Sequence, residues 1–449
     1  MSNSLANALA LLRETCAGLK ASAERPEQAA ALDSMAVLLA DLMATEADPH
    51  AHMVAEIGTV LGTTPAGRDE ALRQAAAEVA SADPARLAAL LAAEKAGVDA
   101  ANQILWDELK RPQRQAPAAA DDALDLAALT AFLRATFADE PDVSVAAANT
   151  VSRGMSKKTV LLELAGNRAL PDVLVLRMDQ SMTNYLGTAV ADEYAPLALL
   201  WKHGARVAQP FAVEPTGTML GEPFMLSARV GGAAVGGNFV FPSRNEALVA
   251  DFAACLAGIH KVPAHEFPGG IPAAPQIDAE IAKTYADWQA LDTPSAIMEA
   301  GFRWVREHQH LAYGPPAIVH NDFNFNNLLV EGDRVTAVVD WEFVHVGTAA
   351  ADIGYFYFGA ENVGSFAGFC DAYVRAGGTL PPRAQVDFYI LWGQLRLGVL
   401  AFQAAHGLDS GTTTNIRFGV ARTHRRLAAL RVAGRLAKAG WLPPEEGQS

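Results

Sequence analysis

The sequence has little of several features that mark extracellular or membrane proteins. Its three cysteines, Cys16, Cys255 and Cys370, are far apart and odd in number. This pattern argues against a disulfide framework or a zinc site and predicts buried thiols in a reducing cytoplasm. No run of 18 or more apolar residues occurs, so we expect no transmembrane helix. The first 19 residues lack a basic start and a compact apolar stretch, so we expect no signal peptide.

Basic residues are also scarce. The 449-residue chain has 35 Lys and Arg against 50 Asp and Glu, a net charge of −15. This balance argues against general nucleic-acid binding. We therefore expect a cytoplasmic protein with no nucleic-acid or membrane partner, and the oligomeric state stays open.

One basic cluster lies near the C-terminus, among leucines at near-helical spacing. Its members are Arg422, Arg425, Arg426, Arg431, Arg435 and Lys438. One interpretation is the solvated face of a helix. The other is a patch for an anionic ligand such as a coenzyme A phosphate.

The most informative polar residues lie in the segment 319–342. Asp322 follows His320 by two residues, and Asn327 follows Asp322 by five. Asp340 ends a short apolar run 18 residues after Asp322. This spacing is typical of the catalytic loop and metal loop of a kinase-like phosphotransferase. Either Asp alone would fit an ordinary turn, so the order and spacing of the set carry the interpretation.

The chemistry explains why these residue types occur together. A hydroxyl that attacks a phosphoryl group needs a proton acceptor, which Asp322 can supply. Mg²⁺ prefers oxygen ligands, and Asn327 offers an amide oxygen while Asp340 offers a carboxylate. Residues 328–330 and 335–339 predict a β-hairpin that brings Asp340 back beside Asn327. We expect His320 to brace the loop by hydrogen bonding.

The same segment resembles the aminoglycoside phosphotransferase and choline kinase-like superfamily. It is closest to the branch whose kinase-like domains are linked to acyl-CoA dehydrogenases, with the pattern HGDxxxxNLLV followed by VxDWExAxxGDPxxDL. The match runs through residues 304–356. The resemblance implies that Asp322 is the catalytic base, that Asn327 and Asp340 bind Mg²⁺, and that Asp352 anchors the loops.

Two positions depart from the branch pattern. Asn321 stands where the branch has Gly, and Thr348-Ala349 replaces Asp-Pro. Neither change removes a catalytic group, but both could alter the shape of the loop.

Earlier segments resemble the nucleotide-binding parts of the same branch. The loop around Gly154 and Ser156 resembles its GGxSxxT phosphate loop, although an ordinary hairpin turn would also fit. The resemblance implies that Arg177 replaces the phosphate-binding Lys of protein kinases and pairs with Glu193 on the next helix. Both could instead be surface residues. The stretch around Leu226 resembles the inter-lobe hinge, whose backbone holds adenine.

The resemblance implies an α+β protein with a bilobal protein-kinase-like fold. It would have a small antiparallel-sheet N-lobe at 122–230 and a helical C-lobe at 231–449. An all-α domain at 1–110 and a Pro/Ala-rich linker at 111–121 would precede them. We expect the part after about residue 118 to fold and bind nucleotide alone, unless the front helices pack on it.

The expected function is Mg·ATP-dependent phosphorylation of a small-molecule hydroxyl. The acceptor would be a hydroxylated metabolite, a hydroxyacyl-CoA or an aminoglycoside-like compound. The alternative is a catalytically silent nucleotide-binding or scaffold protein that uses its front domain for a partner. Aromatic residues of the later helices are candidate pocket walls, although such stripes more often belong to a core. They are Tyr285, Trp288, Tyr355, Tyr357, Phe388, Tyr389 and Trp392.

Overall fold

The computed structural model describes residues 50–109, 124–153, 157–179, 188–235, 242–410 and 421–442. The predicted linker, Gly154 and Ser156 of the predicted phosphate loop, and Cys16 lie outside these ranges. The described residues form helices and antiparallel strands, which confirms the predicted α+β class. Within these ranges, no helix combines the length and hydropathy needed to span a bilayer.

The helices of the described ranges are, in chain order, α1 (Ala51–Leu61), α2 (Arg68–Glu78), α3 (Pro84–Leu109), α4 (Leu126–Thr136), α5 (Val190–Lys202), α6 (Glu246–His260), α7 (Gln276–Ala290), α8 (Ala296–Glu307), α9 (Ala349–Tyr355), α10 (Tyr357–Val363), α11 (Phe366–Arg375), α12 (Arg383–Asp409) and α13 (Ala421–Lys438). The strands are β1 (Ser144–Arg153), β2 (Lys157–Ala165), β3 (Val173–Asp179), β4 (Pro210–Glu214), β5 (Phe224–Ala228), β6 (Ala233–Ala234), β7 (Pro316–Val319), β8 (Leu328–Glu331), β9 (Arg334–Val338) and β10 (His345–Thr348).

Strands β1 to β5 form one antiparallel sheet in the order β1-β2-β3-β5-β4. Apolar residues alternate along β2 and β3, so Val160, Leu162, Leu174 and Leu176 share one buried face. Leu129 of α4 belongs to the same core. This is the predicted small-lobe sheet, and its register determines where polar residues on the opposite face lie.

Short strands carry the catalytic and metal segments. Strand β7 pairs with β10, and β8 pairs with β9, both antiparallel. A tight turn at Gly332 joins β8 and β9, and its φ of 60° suits a residue without a Cβ. The Val339 N–H donates to the Asn327 carbonyl at 2.9 Å. The predicted hairpin is therefore confirmed, and it brings the residue before Asp340 to Asn327.

The chain divides into two compact units that combine distant segments. One consists of Met1–Pro117, Ile277–Tyr313 and Asp387–Ser449, and the other of Ala118–Gln276 and Gly314–Val386. Our sequence-based boundaries follow the chain order and therefore differ from this grouping. The physical reason is that sequence periodicity reveals helices and linkers but not which helices share a core.

Contacts within the helical unit show how its N-terminal part joins the later segments. Glu94 of α3 is fully buried and accepts hydrogen bonds from Ser295 Oγ at 2.5 Å and Ile297 N at 2.8 Å, at the start of α8. Burial raises the pKa of Glu94, although these bonds oppose the shift. Arg303 of α8 donates to the Val79 carbonyl at 2.7 Å. The front helices and α8 thus share both a core and polar contacts.

The C-terminal basic cluster lies on α13, and part of it points inward. Arg426 and Arg435 are buried, and Arg435 forms an ion pair with Asp387 of α12. The Arg425 guanidinium lies over the Phe402 ring. The solvated-face interpretation is therefore wrong for Arg426 and Arg435, because their stems and charges help to pack α13 inside its unit.

The thiols and most of the aromatic residues singled out in the sequence serve packing. Cys255 is buried, and burial raises the pKa of its thiol to about 12. Cys370 is half-buried. The aromatic residues that form part of the core of the helical unit are Trp288, Phe388, Tyr389 and Trp392.

Candidate active site

The catalytic loop follows β7 and contains the short 3-10 turn Phe325–Asn327. Asp322 Oδ2 accepts from Asn327 Nδ2 at 2.7 Å, and Oδ1 accepts from Asn324 Nδ2 at 2.9 Å. Asn327 Nδ2 also donates to the Asp322 carbonyl at 3.0 Å. Both acceptors require the NH₂ end of the Asn327 amide, so its oxygen is the atom left for a cation.

His320 braces this loop. Its Nε2 donates to the Val339 carbonyl at 2.9 Å, and its Nδ1 accepts from the Asp322 N–H at 3.2 Å. The imidazole therefore connects the catalytic loop with the residue before the metal loop. It acts through hydrogen bonds, as the sequence predicts.

Asp352 of α9 anchors the start of the loop. Its buried carboxylate accepts from the His320 N–H at 2.8 Å, the Asn321 N–H at 2.7 Å and His260 Nε2 at 3.1 Å. Burial alone would raise its pKa, but His260, His320 and the backbone donor outweigh burial and lower the pKa. Asp352 therefore stays ionised and holds the loop.

The two departures from the branch pattern fit the local geometry. Asn321 has a φ of 61°, in the left-handed region that Gly favours and Asn tolerates better than most residues. Thr348 caps α9 by accepting from the Ala350 N–H at 3.3 Å, a role that Asp can also fill. Asn and Thr thus preserve the loop shape by other means.

Arg177 joins the small-lobe sheet to the metal loop. It lies on β3 between the inward-facing Leu176 and Met178 and points to the opposite face. Its guanidinium lies 2.7 Å from Asp340 Oδ1 and 3.5 Å from Glu193 Oε1 on α5. Asp340 itself has a left-handed φ of 67°.

The charges of this group influence one another strongly. Burial alone would raise the pKa of Asp340, but the charge and hydrogen bond of Arg177 lower it. Burial raises the pKa of Glu193 to about 7, with Arg177 opposing and Asp340 and Glu342 adding to the shift. Arg177 is closer to Asp340 than to Glu193, so it neutralises Asp340 more fully.

The donor set fits a hard divalent cation. Asn327 presents an amide oxygen, and Asp340 presents a carboxylate. Around them the three acidic groups Glu193, Asp340 and Glu342 face two cationic side chains, Arg177 and Lys157, so a further cation would offset negative charge. Across the described ranges, no three His, Cys, Asp or Glu side chains converge on a closed metal site. Mg²⁺ suits such an open set because it keeps water and phosphate oxygens as ligands.

A family comparison identifies the protein class. The model of the phosphotransferase enzyme family (APH) matches residues 148–389, which contain Arg177, Glu193, Asp322, Asn327 and Asp340. The chain belongs to this family. The match confirms the predicted enzyme class, a phosphotransferase. No curated protein sequence matches the chain.

Solved structures of similar fold also carry phosphotransferase names. A candidate aminoglycoside phosphotransferase from Ralstonia eutropha JMP134 shares 19% identity, covers 70% of this chain and 99% of its own, and superposes with a TM-score of 0.55. A thermostable mutant of aminoglycoside phosphotransferase APH(4)-Ia, in ternary complex with AMP-PNP and hygromycin B, shares 16% identity, covers 68% and 98%, and has a TM-score of 0.45. A macrolide 2'-phosphotransferase from Brachybacterium faecium shares 18% identity, covers 72% and 99%, and has a TM-score of 0.44. The Ralstonia structure supports the phosphotransferase fold.

The structure places Leu226, the residue predicted at the adenine-binding hinge, within a strand of the small-lobe sheet. Leu226 is buried in β5, where it pairs with Leu176 of β3 on one side and Ala212 of β4 on the other. Its side chain belongs to the sheet core. The strand ends at Ala228.

Sequence reasoning missed one contact to the phosphotransferase loop. The Tyr355 hydroxyl donates to Asp322 Oδ1 at 2.6 Å. Tyr355 was considered only as a pocket wall, yet it lies one helical turn after Asp352. Residues three apart share a helix face, so an anchoring Asp352 could have indicated that Tyr355 reaches the same loop.

Proposed function

We propose that this enzyme transfers the γ-phosphoryl group of Mg·ATP to a hydroxyl of a small molecule. The observation that carries the proposal is the Glu193–Arg177–Asp340 ion-pair chain. It joins the sheet that would hold the nucleotide to the loop that would hold the metal. Protein kinases build their nucleotide site from the same chemical parts.

Asp322 is the proposed catalytic residue. Its carboxylate accepts the proton of the acceptor hydroxyl, while its bonds to Asn324 and Asn327 fix its orientation. Asn327 and Asp340 would bind Mg²⁺, which supplies charge neutralisation to the phosphate oxygens when bound. Catalysis by these residues consists mainly of positioning and electrostatics.

The remaining proposed roles concern the nucleotide. Arg177 holds phosphate oxygens, and Glu193 keeps its guanidinium in place. The Arg177 side chain is 16% exposed, so part of its guanidinium is accessible to a phosphate oxygen. Ser156 adds a hydroxyl from the phosphate loop. Backbone groups of the hinge segment around Leu226 hold adenine.

The acceptor belongs to one of three chemical classes: a hydroxylated metabolite, a hydroxyacyl-CoA or an aminoglycoside-like compound. The sequence pattern of residues 304–356 supports the acyl-CoA dehydrogenase-linked branch, which favours the first two classes. The name of the similar Ralstonia structure favours the third. A net charge of −15 would suit a cationic acceptor in general electrostatic terms.

A phosphotransfer screen tests the proposal. The enzyme is incubated with Mg·ATP and a library of hydroxyl compounds from the three classes, and products are detected by intact mass. An increase by one phosphoryl group identifies the acceptor. Asp322→Asn should bind Mg·ATP as the wild type does and lose about 10²–10⁴-fold in transfer, since it removes the proton acceptor. Near wild-type turnover in this variant would exclude Asp322 as the base.

The metal site is tested separately by thermal unfolding. Mg·ATP should raise the Tm of the wild type. Asp340→Ala should abolish most of the Mg²⁺-dependent part of that shift, because it removes the one anionic ligand of the proposed pair. An unchanged shift would show that the metal binds elsewhere. Binding without any transfer would favour the nucleotide-binding scaffold.

A further inference from the structure

A buried ion pair lies at the edge of the small-lobe sheet, beside the proposed nucleotide residues. Lys157 Nζ lies 2.6 Å from Asp179 Oδ1 and 2.6 Å from the Thr188 carbonyl. The two side chains are only 3% and 8% exposed. A lysine and an aspartate this deeply buried are stable only when each compensates the other.

Asp179 also connects β3 to the helix that carries Glu193. Its carboxylate accepts from the Val190 N–H at 3.1 Å, at the first residue of α5. Asp179 lies two residues after Arg177, and Glu193 lies three residues after Val190. The carboxylate therefore ties the strand end of Arg177 to the helix start of Glu193, and it complements the positive end of the helix.

Thr188 extends the connection to the metal loop. Its carbonyl accepts from Lys157, while its hydroxyl donates to Glu342 Oε2 at 3.0 Å. Glu342 lies two residues after Asp340. One short polar path thus runs from Lys157 at the start of β2 to Glu342, which lies two residues after the proposed metal ligand.

We propose that Lys157, Asp179, Thr188 and Glu342 form a positioning chain for Mg·ATP binding. The chain sets the relative positions of the start of β2, Arg177, Glu193 and Asp340. This inference rests on the proposed function and deepens it, because it names residues that act on the nucleotide site through others.

The geometry favours positioning over direct phosphate binding by Lys157. Two oxygens at 2.6 Å take two of its three donors, and its side chain is almost fully enclosed. A phosphate ligand would need an accessible ammonium group. The charge of Lys157 is instead used to hold Asp179 and Thr188 together.

The first test removes a single hydroxyl group. It distinguishes an effect on the geometry of the nucleotide site from an effect on the stability of the protein. Thr188→Val removes the bond to Glu342 and leaves the Lys157–Asp179 pair intact. Isothermal titration calorimetry measures ATP binding with Mg²⁺ and with EDTA. We expect Mg·ATP affinity to fall about tenfold, the scale of a lost hydrogen bond to a charged group. The Tm without nucleotide should stay near that of the wild type.

The second test uses the ion pair. Lys157→Met and Asp179→Asn each leave one buried charge unpaired and should lower the Tm strongly. The double variant removes both charges but keeps an oxygen for the Val190 N–H. It should recover most of the Tm and still bind Mg·ATP about tenfold more weakly than the wild type, because the connection to Thr188 is lost.

A matched control removes a surface ion pair from the same unit. Lys202→Met breaks the pair between Lys202 and Glu266, which lies 3.0 Å away on an exposed surface. Both the Tm and Mg·ATP affinity should be unchanged.

The outcomes distinguish the two proposals. If the wild type binds no Mg·ATP, the proposed function fails. If the wild type binds, but Thr188→Val and the double variant bind equally well, the chain serves stability only and the present inference is overturned. Weaker binding at an unchanged Tm in Thr188→Val supports it.

Discussion

At the scale of single residues, the Asp322 carboxylate accepts hydrogen bonds from donors both inside and outside the catalytic motif. Asn324 and Asn327 lie within the catalytic loop, but the donor at 2.6 Å, Tyr355, comes from α9. A carboxylate with three donors has few orientations open to it. Its fixed direction is what a residue that receives a proton from a bound hydroxyl requires.

Tyr355→Phe tests this arrangement. The variant loses one hydrogen bond to the carboxylate, so we expect kcat to fall about tenfold, corresponding to ~1.4 kcal/mol. Mg·ATP affinity and Tm should change little, since the ring is retained. Steady-state kinetics, calorimetry and thermal unfolding measure the three quantities.

Tyr313→Phe provides the control. It removes a similar bond, 2.8 Å long, from a tyrosine hydroxyl to Asp278, a carboxylate outside the catalytic loop. Its kcat should match the wild type. A loss of Mg·ATP affinity equal to the loss of kcat in Tyr355→Phe would contradict the assigned role.

At the scale of elements, helix α9 holds the catalytic loop through one buried carboxylate. Asp352 receives two backbone N–H groups and His260. The loop itself is too short and irregular to satisfy these groups alone. Its conformation, including the left-handed Asn321, is therefore imposed by a helix that lies some 30 residues later in the chain.

Asp352 makes the stability of this element depend on pH. Its folded-state pKa lies below the ordinary 3.8. Such a group stabilises the fold above its ordinary pKa, and the stabilisation is lost as pH falls through the lowered value. We expect Asp352→Asn to cost about 3 kcal/mol near pH 7. The gap to the wild type should shrink steadily below about pH 4.

Urea unfolding at a series of pH values measures this gap. Asp139→Asn, at an exposed position, is the control and should give only a small difference. A gap between wild type and Asp352→Asn that stays constant from pH 7 to pH 3 would argue against an ionised anchor.

At the scale of the whole molecule, the front helices belong to a core that also contains two later segments. Helices α1–α3 lie in the same compact unit as α8 and α13. The buried carboxylate of Glu94 satisfies donors at the N-terminus of α8. The front helices are therefore part of what keeps the later ones folded.

A chain that starts at residue 118 should consequently be unstable. The sequence predicts that this part folds alone unless the front helices pack on it. The contacts of Glu94 at the start of α8 favour such packing. We expect poor solubility, because the truncation exposes apolar faces of α8 and α13. In the full chain, Glu94→Ala should lower stability by about 2–4 kcal/mol, since it leaves buried donors unsatisfied.

Expression tests, thermal unfolding and Mg·ATP binding by the truncated chain measure this dependence. Glu56→Ala removes a partly exposed carboxylate of α1 that pairs with His52 on the same helix, so it is the matched control for Glu94→Ala and should change stability little. A soluble truncated protein with a cooperative transition would show that the later segments need no front helices.

Much of the site could be predicted from the sequence, because its main features are local. The spacing of Asp322 and Asn327, the turn at Gly332 and the strand before Asp340 follow from turn chemistry and the two-residue period of strands. The α+β class was implied by the resemblance to the kinase-like superfamily, and both it and the hairpin are confirmed.

The tertiary structure alone decided which distant groups meet. Arg177 contacts Asp340 across 163 positions of sequence, and Lys157, Thr188 and Glu342 form a polar path that no motif contains. Only the tertiary structure shows that the front helices share a compact unit with α8 and α13, and that Arg426 and Arg435 of the basic cluster are buried. Local patterns encode hydrogen bonds and faces within a few residues, whereas these contacts depend on how whole elements pack, and one sequence carries no periodic signal for that.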